Sequence, residues 1–372
     1  MRIFGPNELK ADVQDKGLCV GCGACVNLCP YFKNHQGKTV MLFPCTLEKG
    51  RCHAYCPKTE VDYTELSQAR WKRPYDASPL GTHDGVVMAR AGEGRVEGRV
   101  QAGGTVSALT AFALREGMIE EAVLTNREGL VPVPQMVGDE TGIYGCATSK
   151  YTAAPTLSEV NRAAREGIRN VGVVATPCQA TALALMRENP LDREDFVDPV
   201  SLVIGLFCTW ALDTRKLIPF LESRVDVSRI QWMDIPPPPA EVFVLDLGNE
   251  EIQIPLDEIR ALVPRGCLLC PDMTSEWADV SVGVLEGEPE WNTLIVRTEK
   301  GRALVDKAVE AGSIVVKEMP AANLEHLRTA ALNKKKRAVA RAREENLLNN
   351  TDEGERAAFR MDPSVVEELT GS

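Results

Sequence analysis

Between residues 19 and 30 the chain reads Cys19-Val-Gly-Cys22-Gly-Ala-Cys25-Val-Asn-Leu-Cys29-Pro30. Cysteines at this density fit neither face of a regular helix or strand, so the segment must be a loop organised around whatever the thiols bind. The C-x2-C-x2-C-x3-C-P spacing lets three thiolates wrap one cubic iron-sulfur cluster while the fourth points away. Gly21 and Gly23 remove side chains where the loop curls around inorganic sulfur, and Pro30 ends the motif. Structural zinc sites usually present two separated C-x2-C pairs, a pattern this run lacks.

A second group follows at Cys45, Cys52 and Cys56-Pro57. Cys56-Pro57 copies the ending of the first run, which suggests the crossed ligation of two-cluster ferredoxins. Cys19, Cys22, Cys25 and Cys56 then hold one 4Fe-4S cluster, and Cys29, Cys45 and Cys52 remain for a second. Leu42 and Glu48 stand where a fourth cysteine would be expected. The second set is therefore open between a three-iron cluster, ligation by His53 or Glu48, and no cluster; His53 itself reads as a polar surface residue.

The chain has 372 residues and 12 cysteines, seven of them between residues 19 and 56, so two chemically distinct parts are expected. Its 44% hydrophobic content can bury a sizeable core without disulfides. A net charge of −11 argues against binding nucleic acid by neutralising phosphates. No apolar export segment opens the sequence and no run is long and apolar enough to span a membrane, so the chain reads as cytoplasmic, where thiols stay reduced.

The composition shifts near residue 80. Residues 1 to 80 read as a bacterial-ferredoxin-like iron-sulfur module with its linker, 81 to 317 as an α/β domain, and 318 to 372 as a charged, helix-prone tail. Strand-like runs at 86 to 90, 122 to 125, 171 to 175 and 201 to 207 alternate with helices at 105 to 116 and 177 to 188, which predicts an α/β architecture with a mostly parallel sheet. Further strands are expected at 241 to 247, 278 to 284 and 293 to 298, with Pro236 to Pro239 as a stiff connection. The run Lys334-Lys335-Lys336-Arg337 reads as a solvated helix face.

Within the α/β domain, Gly103-Gly104-Thr105-Val106-Ser107 opens a helix, a place where backbone N–H groups can meet an anion such as pyrophosphate or simply be capped. Pro177 suits a first helical turn and puts Cys178 at a helix N-terminus, where the dipole favours a thiolate. Cys208 ends another hydrophobic strand. Two cysteines closing parallel strands share the carboxyl edge where open α/β sheets bind ligands. With Cys267-Leu-Leu-Cys270 they would make a four-thiolate site from distant segments, the competing reading being buried structural cysteines. Cys146 has no such setting and is taken as a non-ligand.

Several segments together resemble the coenzyme F420 hydrogenase/dehydrogenase β-subunit family. They are Gln101-Ala-Gly-Gly104-Thr-Val-Ser-Ala-Leu, Ser149-Lys150-Tyr151, Ala175-Thr-Pro-Cys178-Gln-Ala, Gly205-Leu-Phe-Cys208, Cys267-Leu-Leu-Cys270-Pro-Asp272, Ala278-Asp279-Val-Ser-Val-Gly283 and Ile295-Val-Arg-Thr-Glu-Lys-Gly301, in order over roughly residues 83 to 315. The resemblance implies a flavoprotein binding FAD and one 4Fe-4S cluster in this domain, two or three clusters in all, with Cys178, Cys208, Cys267 and Cys270 as ligands. It places Gly103, Gly104, Thr105, Ser107, Ser149, Lys150, Tyr151, Thr176 and Gln179 in the flavin neighbourhood, with Lys150 near reduced flavin or a phosphate. No catalytic residue is assigned.

What the resemblance implies functionally is an electron-transfer subunit of a larger redox complex. Electrons would pass between a hydride carrier, coenzyme F420 or similar, through FAD and 4Fe-4S clusters, to or from a partner oxidoreductase of hydrogenase, formate dehydrogenase or heterodisulfide-reductase type, or a ferredoxin. The alternatives are a stand-alone ferredoxin-dependent reductase of an organic substrate and a cluster-bearing scaffold without flavin.

Overall fold

The computed structural model describes residues 1 to 351 and 353 to 371. The runs rich in Val and Ile become an eight-stranded sheet. Its strands are β1 (Gly85–Ala91), β2 (Glu121–Glu128), β3 (Val131–Val137), β4 (Val171–Ala175), β5 (Val200–Leu206), β6 (Val280–Val284), β7 (Asn292–Val296) and β8 (Ile314–Glu318). The spatial order is β8-β1-β7-β6-β5-β4-β2-β3. Pairing is parallel across β2, β4, β5 and β6 and antiparallel on both flanks, so the parallel character expected of the whole sheet is confined to its centre.

The central strands read as continuous apolar runs because both faces are covered. Leu202 and Ile204 of β5 point to one face and Val203 to the other. Helices α1 (Thr105–Arg115) and α4 (Glu299–Glu310) cover the first face through Leu109, Phe112 and Leu304. Helices α2 (Leu157–Glu166) and α3 (Pro177–Arg187) cover the second through Val160 and Leu183. A separate antiparallel sheet, Trp232–Asp234, Val242–Asp246 and Glu251–Pro255, has its own core around Met233, Phe243 and Ile254.

The two ends of the chain depart from the expected division. Residues 1 to 80 do not keep a core to themselves: Leu9, Leu18, Phe32, Tyr63 and Leu66 share one cluster with Leu157 and Leu183 of the α/β part and with Val339, Phe359 and Val366 near the C-terminus. Nor is the segment after 318 a solvated tail. It forms α5 (Ala321–Glu344), two short strands and α6 (Pro363–Thr370). Phe359-Arg360 inserts between Leu348-Asn349 and Val61-Asp62 to make a three-stranded parallel sheet with the N-terminal region.

Lys334 and Lys335 are buried, whereas Lys336 and Arg337 are exposed. The buried stripe of α5 is Ala331, Lys334, Lys335, Ala338, Val339 and Ala342, so the helical period carries two of the four cations inward. Lys335 Nζ lies 2.9 Å from Glu276, with both side chains almost fully enclosed, and donates to the Ser78 carbonyl at 2.8 Å.

The seam between the chain ends is ionic. Arg360 bridges Glu60 at 2.6 Å and Asp62 at 3.3 Å, and Arg2 also pairs with Glu60. Burial pushes the Glu60 carboxyl up, but hydrogen bonds from Arg2, Arg360 and the Ala357 amide outweigh it and hold the group below its ordinary value. A depressed folded-state pKa stabilises the fold above the ordinary carboxylate range and loses that contribution as pH falls. Arg360→Gln is expected to cost about 3 kcal/mol near neutral pH by stranding part of a buried carboxylate. Because the variant's Glu60 is no longer held so low, its acid-side loss of urea stability should be smaller than the parent's and the deficit should narrow as pH falls; a deficit that stays constant from pH 7 to about 3 would contradict this role.

Candidate functional site

The first cysteine loop is held against the α/β part. Asn161 of α2 donates its side-chain amide to the carbonyls of Ala24 (2.9 Å) and Val26 (2.7 Å), and Leu157 N donates to the Cys22 carbonyl at 3.1 Å. Gly23 has φ +86°, and a Cβ there would fall 2.4 Å from the Pro155 carbonyl oxygen, so only glycine fits between the loop and the start of α2. Inside the loop a cleft is lined by Cys19, Cys22, Cys25 and Cys56, with Thr39 and Lys58. Among the described residues no three His, Cys, Asp or Glu side chains close around a single metal ion. The four thiols ring a volume instead, which suits a multi-atom cluster.

The thiols influence one another in three groups. Burial pushes the Cys22 and Cys25 thiols well up and Cys56 to about 12, and neighbouring thiolates within this set add to each shift. Burial raises Cys52 to about 11, and the charges of Cys29 and Cys45 raise it further. Cys178 rises to about 12 by burial with Cys270 and Cys267 adding, and Cys208, also raised by burial, is affected by Cys267, Cys178 and Cys270. Thiols that burial keeps protonated must release their protons to bind iron, so loading any of these groups would be coupled to proton release.

The groups also adjoin. After burial the largest influence on Cys22 is Cys178, and Cys25 is affected by Cys52. Cys22, Cys52 and Cys178 lie in one core, whereas Cys29 is exposed. His53 is buried, contrary to the surface position expected; its Nδ1 accepts from Phe4 N at 3.4 Å, and burial lowers its pKa to about 4, keeping the ring neutral. Glu48 is exposed. Cys146 stands apart, its Sγ 3.4 Å from Gln135 Oε1.

The inner set is assembled by the sheet. Ala175 of β4 and Gly205 of β5 are register partners, so Cys178 and Cys208 leave the same carboxyl edge of adjacent parallel strands. Cys267 and Cys270 arrive on the turn and short helix after Pro264, packed against the first cysteine loop: a Cβ on Gly266 would lie 2.1 Å from the Leu18 carbonyl oxygen.

The flavin candidates divide by what already holds them. The Thr105 hydroxyl donates to the Ala89 carbonyl (3.1 Å) and its amide to Asn292 (3.2 Å), which lays the start of α1 on the sheet. Gly103 fits tightly against Asn292, Glu290 and Arg90, and Gly104 is the N-cap of α1 with φ +73°. Lys150 Nζ donates to the carbonyls of Cys146 (3.1 Å), Ala147 (2.6 Å) and Thr148 (2.9 Å), and burial lowers its pKa to about 8. Thr176 and Gln179 form the capping box of α3, and the Gln179 amide also reaches the Ala154 carbonyl and Thr156. Side chains committed in this way position the backbone. The Ser107 and Ser149 side chains make no such bond among the described residues.

Ser149 N donates to Gln101 at 2.7 Å, and the Gln101 amide meets Tyr151 and Asp234. Tyr151 also donates to Asp234 at 2.8 Å, so the Gln101 segment, the 149 to 151 segment and the small sheet converge. Asp234, Lys58, Asn161 and Asn292 had no sequence signal of their own, because each acts across long chain separations.

Residues 86–161 match the model of the coenzyme F420 hydrogenase/dehydrogenase beta subunit N-terminal region, residues 168–322 that of its C terminus, and residues 13–31 a 4Fe-4S binding domain. The chain is 31% identical over 238 residues to the coenzyme F420 hydrogenase subunit beta of Methanothermobacter thermautotrophicus, covering 63% of this chain and 84% of that one. It is 29% identical over 352 residues to the coenzyme F420-dependent sulfite reductase of Methanocaldococcus jannaschii, covering 90% of this chain and 52% of that protein. A chain of the F420-reducing NiFe hydrogenase complex of Methanosarcina barkeri superposes with a TM-score of 0.66 at 25% identity, over 72% of this chain and 93% of that one. No helix among the described residues is long and apolar enough to cross a membrane.

Cys178→Ala is expected to remove one cluster, about four iron and four sulfide per chain, while leaving the signals of the Cys19 set. Cys146→Ala should leave iron and sulfide unchanged. Paired iron and sulfide assays on the anaerobically purified variants check this, and unchanged iron in the Cys178 variant would refute the inner ligand set.

Proposed function

Because the chain belongs to the coenzyme F420 hydrogenase/dehydrogenase beta subunit family, we propose that it passes electrons between a hydride carrier of the F420 class and a partner oxidoreductase, through FAD and 4Fe-4S clusters. The observation that supports this reading is that Cys22 and Cys178 lie in one buried core, which would join the inner cysteine set to the N-terminal 4Fe-4S run. FAD, when bound, supplies the exchange between two-electron hydride chemistry and single-electron clusters.

This chain's residues would do the rest. Cys178, Cys208, Cys267 and Cys270 hold the inner cluster on the carboxyl edge of the sheet. Cys19, Cys22, Cys25 and Cys56 hold the next. Cys29, Cys45 and Cys52 supply three ligands toward the surface. Packing of α2 and of the turn at Gly266 against the cysteine loop fixes the separation between sets and keeps water from the path.

The outer end favours a protein partner. Leu42, Phe43 and Leu47 around Cys45 are 51%, 57% and 62% exposed, unusual for large apolar side chains on a free surface. Residues 31 to 51 carry four basic side chains and one acidic, against −11 for the whole chain, so this face suits an acidic docking surface and not the basic one that overall charge suggests. The sulfite reductase relative matches nearly all of this chain with about half its own length, which supports a donor module serving a terminal reductase carried elsewhere.

Anaerobically purified protein should release FAD on denaturation and contain about 8 or about 12 iron per chain, for two or three clusters. Reduced F420 should be oxidised with concomitant reduction of a one-electron viologen dye, and Cys178→Ala should abolish dye reduction. Absence of flavin together with no F420 oxidation would reject the reading.

A further inference from the structure

Two buried ammonium groups stand beside the cysteine sets without a carboxylate partner. Lys334 of α5, 5% exposed, donates from Nζ to the carbonyl oxygens of Cys208 (2.6 Å) and Asp272 (2.7 Å). Lys58, also 5% exposed, lines the cavity ringed by Cys19, Cys22, Cys25 and Cys56, with its Nζ 3.4 Å from the Leu269 carbonyl. Among the described residues neither forms an ion pair, whereas the adjacent Lys335 is paired with Glu276. The Asp272 carboxylate contributes charge near Lys334, but its oxygens accept from the amides of Thr274 (2.9 Å) and Glu276 (2.8 Å).

A buried ammonium satisfied only by carbonyls is strongly unfavourable unless negative charge lies close by. Beside Lys58 that charge is sulfur, and beside Lys334 it is sulfur together with the Asp272 carboxylate. Lys334 interacts with Cys270, Cys208 and Cys267, and Lys58 with Cys56, Cys178 and Cys267. Lys334 therefore sits at the inner set, on the Cys208 carbonyl, and Lys58 reaches from the Cys19 cleft to Leu269 in the Cys267–Cys270 turn. Lysine suits the place because it is a compact point charge on a flexible stem.

We propose that Lys58 and Lys334 are fixed countercharges that raise the reduction potentials of the clusters, Lys334 acting on the one held by Cys178, Cys208, Cys267 and Cys270, and Lys58 on that cluster and the Cys19 cluster together. A 4Fe-4S cluster with four thiolates is anionic and gains one further negative charge on one-electron reduction. A positive charge held in a low-dielectric interior therefore stabilises the reduced state more than the oxidised one. The inference rests on the ligand sets assigned above; the lysines act through charge and touch no reacting atom.

The test is an anaerobic redox titration of the full-length, cluster-loaded protein followed by electron paramagnetic resonance, with the inner signal identified as the one missing in Cys178→Ala. Lys334→Gln keeps hydrogen-bond donors but removes the charge. It should lower the equilibrium constant for reducing the inner cluster at least tenfold, a midpoint shift of 59 mV for one electron, and move the Cys19 cluster less. Lys58→Gln should lower both midpoints, and Lys336→Gln, an exposed neighbour, neither. A merely structural role would lower thermal stability or iron content without this selective pattern. Full iron content with unchanged midpoints in the two buried variants overturns the proposal while leaving the ligand sets intact. If Lys334→Gln does not accumulate folded, Lys58→Gln decides, and unchanged midpoints there overturn it. A parent protein without the inner signal overturns the ligand assignment first and the countercharges with it.

Discussion

The contact between Asn161 and the first cysteine loop sets the frame for everything electronic in this protein. A loop that wraps a cluster cannot form regular hydrogen bonds, yet its backbone is buried, so its carbonyls need donors from elsewhere. One side-chain amide on α2 serves both Ala24 and Val26, and the first amide of that helix serves Cys22. Helix α2 in turn lies on the face of the sheet whose carboxyl edge presents Cys178 and Cys208. The separation of the two cysteine sets is thus fixed by packing between regular elements, and an electron path inherits the rigidity of the sheet.

The second constraint is charge. An acidic chain has drawn several cations inward. Arg297 is buried with its guanidinium donating to the carbonyls of Leu80, Thr82 and Thr274 and to the hydroxyls of Ser281 and Thr274, and burial lowers its pKa to about 10. Lys335 is paired with Glu276, whose own pKa is raised by burial. These cations surround the segment 272 to 281 that follows Cys270, so the region after the Cys267–Cys270 turn is pinned by charge-assisted hydrogen bonds. An interior of this kind tolerates anionic clusters that an apolar core would exclude.

Much of this was readable in the sequence, and the parts that were not share a cause. The strand at Val171–Ala175 and the helix that follows were legible from an apolar run ending at Thr176-Pro177, a local signal that tertiary packing did not alter. The first cysteine run was legible as a 4Fe-4S motif because its spacing is itself local. Lys334 and Lys335 were misread because a run of four cations looks solvated by composition, while helical periodicity places the first two on the stripe with Ala338 and Val339. The flavin candidates were ambiguous for a chemical reason: the hydroxyls, amides and glycines that receive a phosphate at a helix start are the same groups that cap a helix. Thr176 and Gln179 have taken the capping role, while the Thr105 hydroxyl bonds the Ala89 carbonyl of the sheet. Asp234 was invisible because its partners Gln101 and Tyr151 are far away in the chain.

The segment that ties these parts together lies outside the matched family regions. Those regions end at residue 322, where α5 has just begun. From there α5 passes the inner cysteine set, with Lys334 on the Cys208 carbonyl, anchors to Ser78 through Lys335, and reaches Arg265, beside the Cys267 turn, through Glu345 at 2.6 Å. The chain then returns to pair Arg360 with Glu60 and Arg356 with Asp12, at the base of the N-terminal cysteine module. A 4Fe-4S module merely joined by a linker would sample many positions relative to the sheet, and the gap between cluster sets would vary with it. By closing the chain back on its own start, the C-terminal segment removes that freedom, and two separately recognisable family parts become one core with a fixed spacing between their cysteine sets.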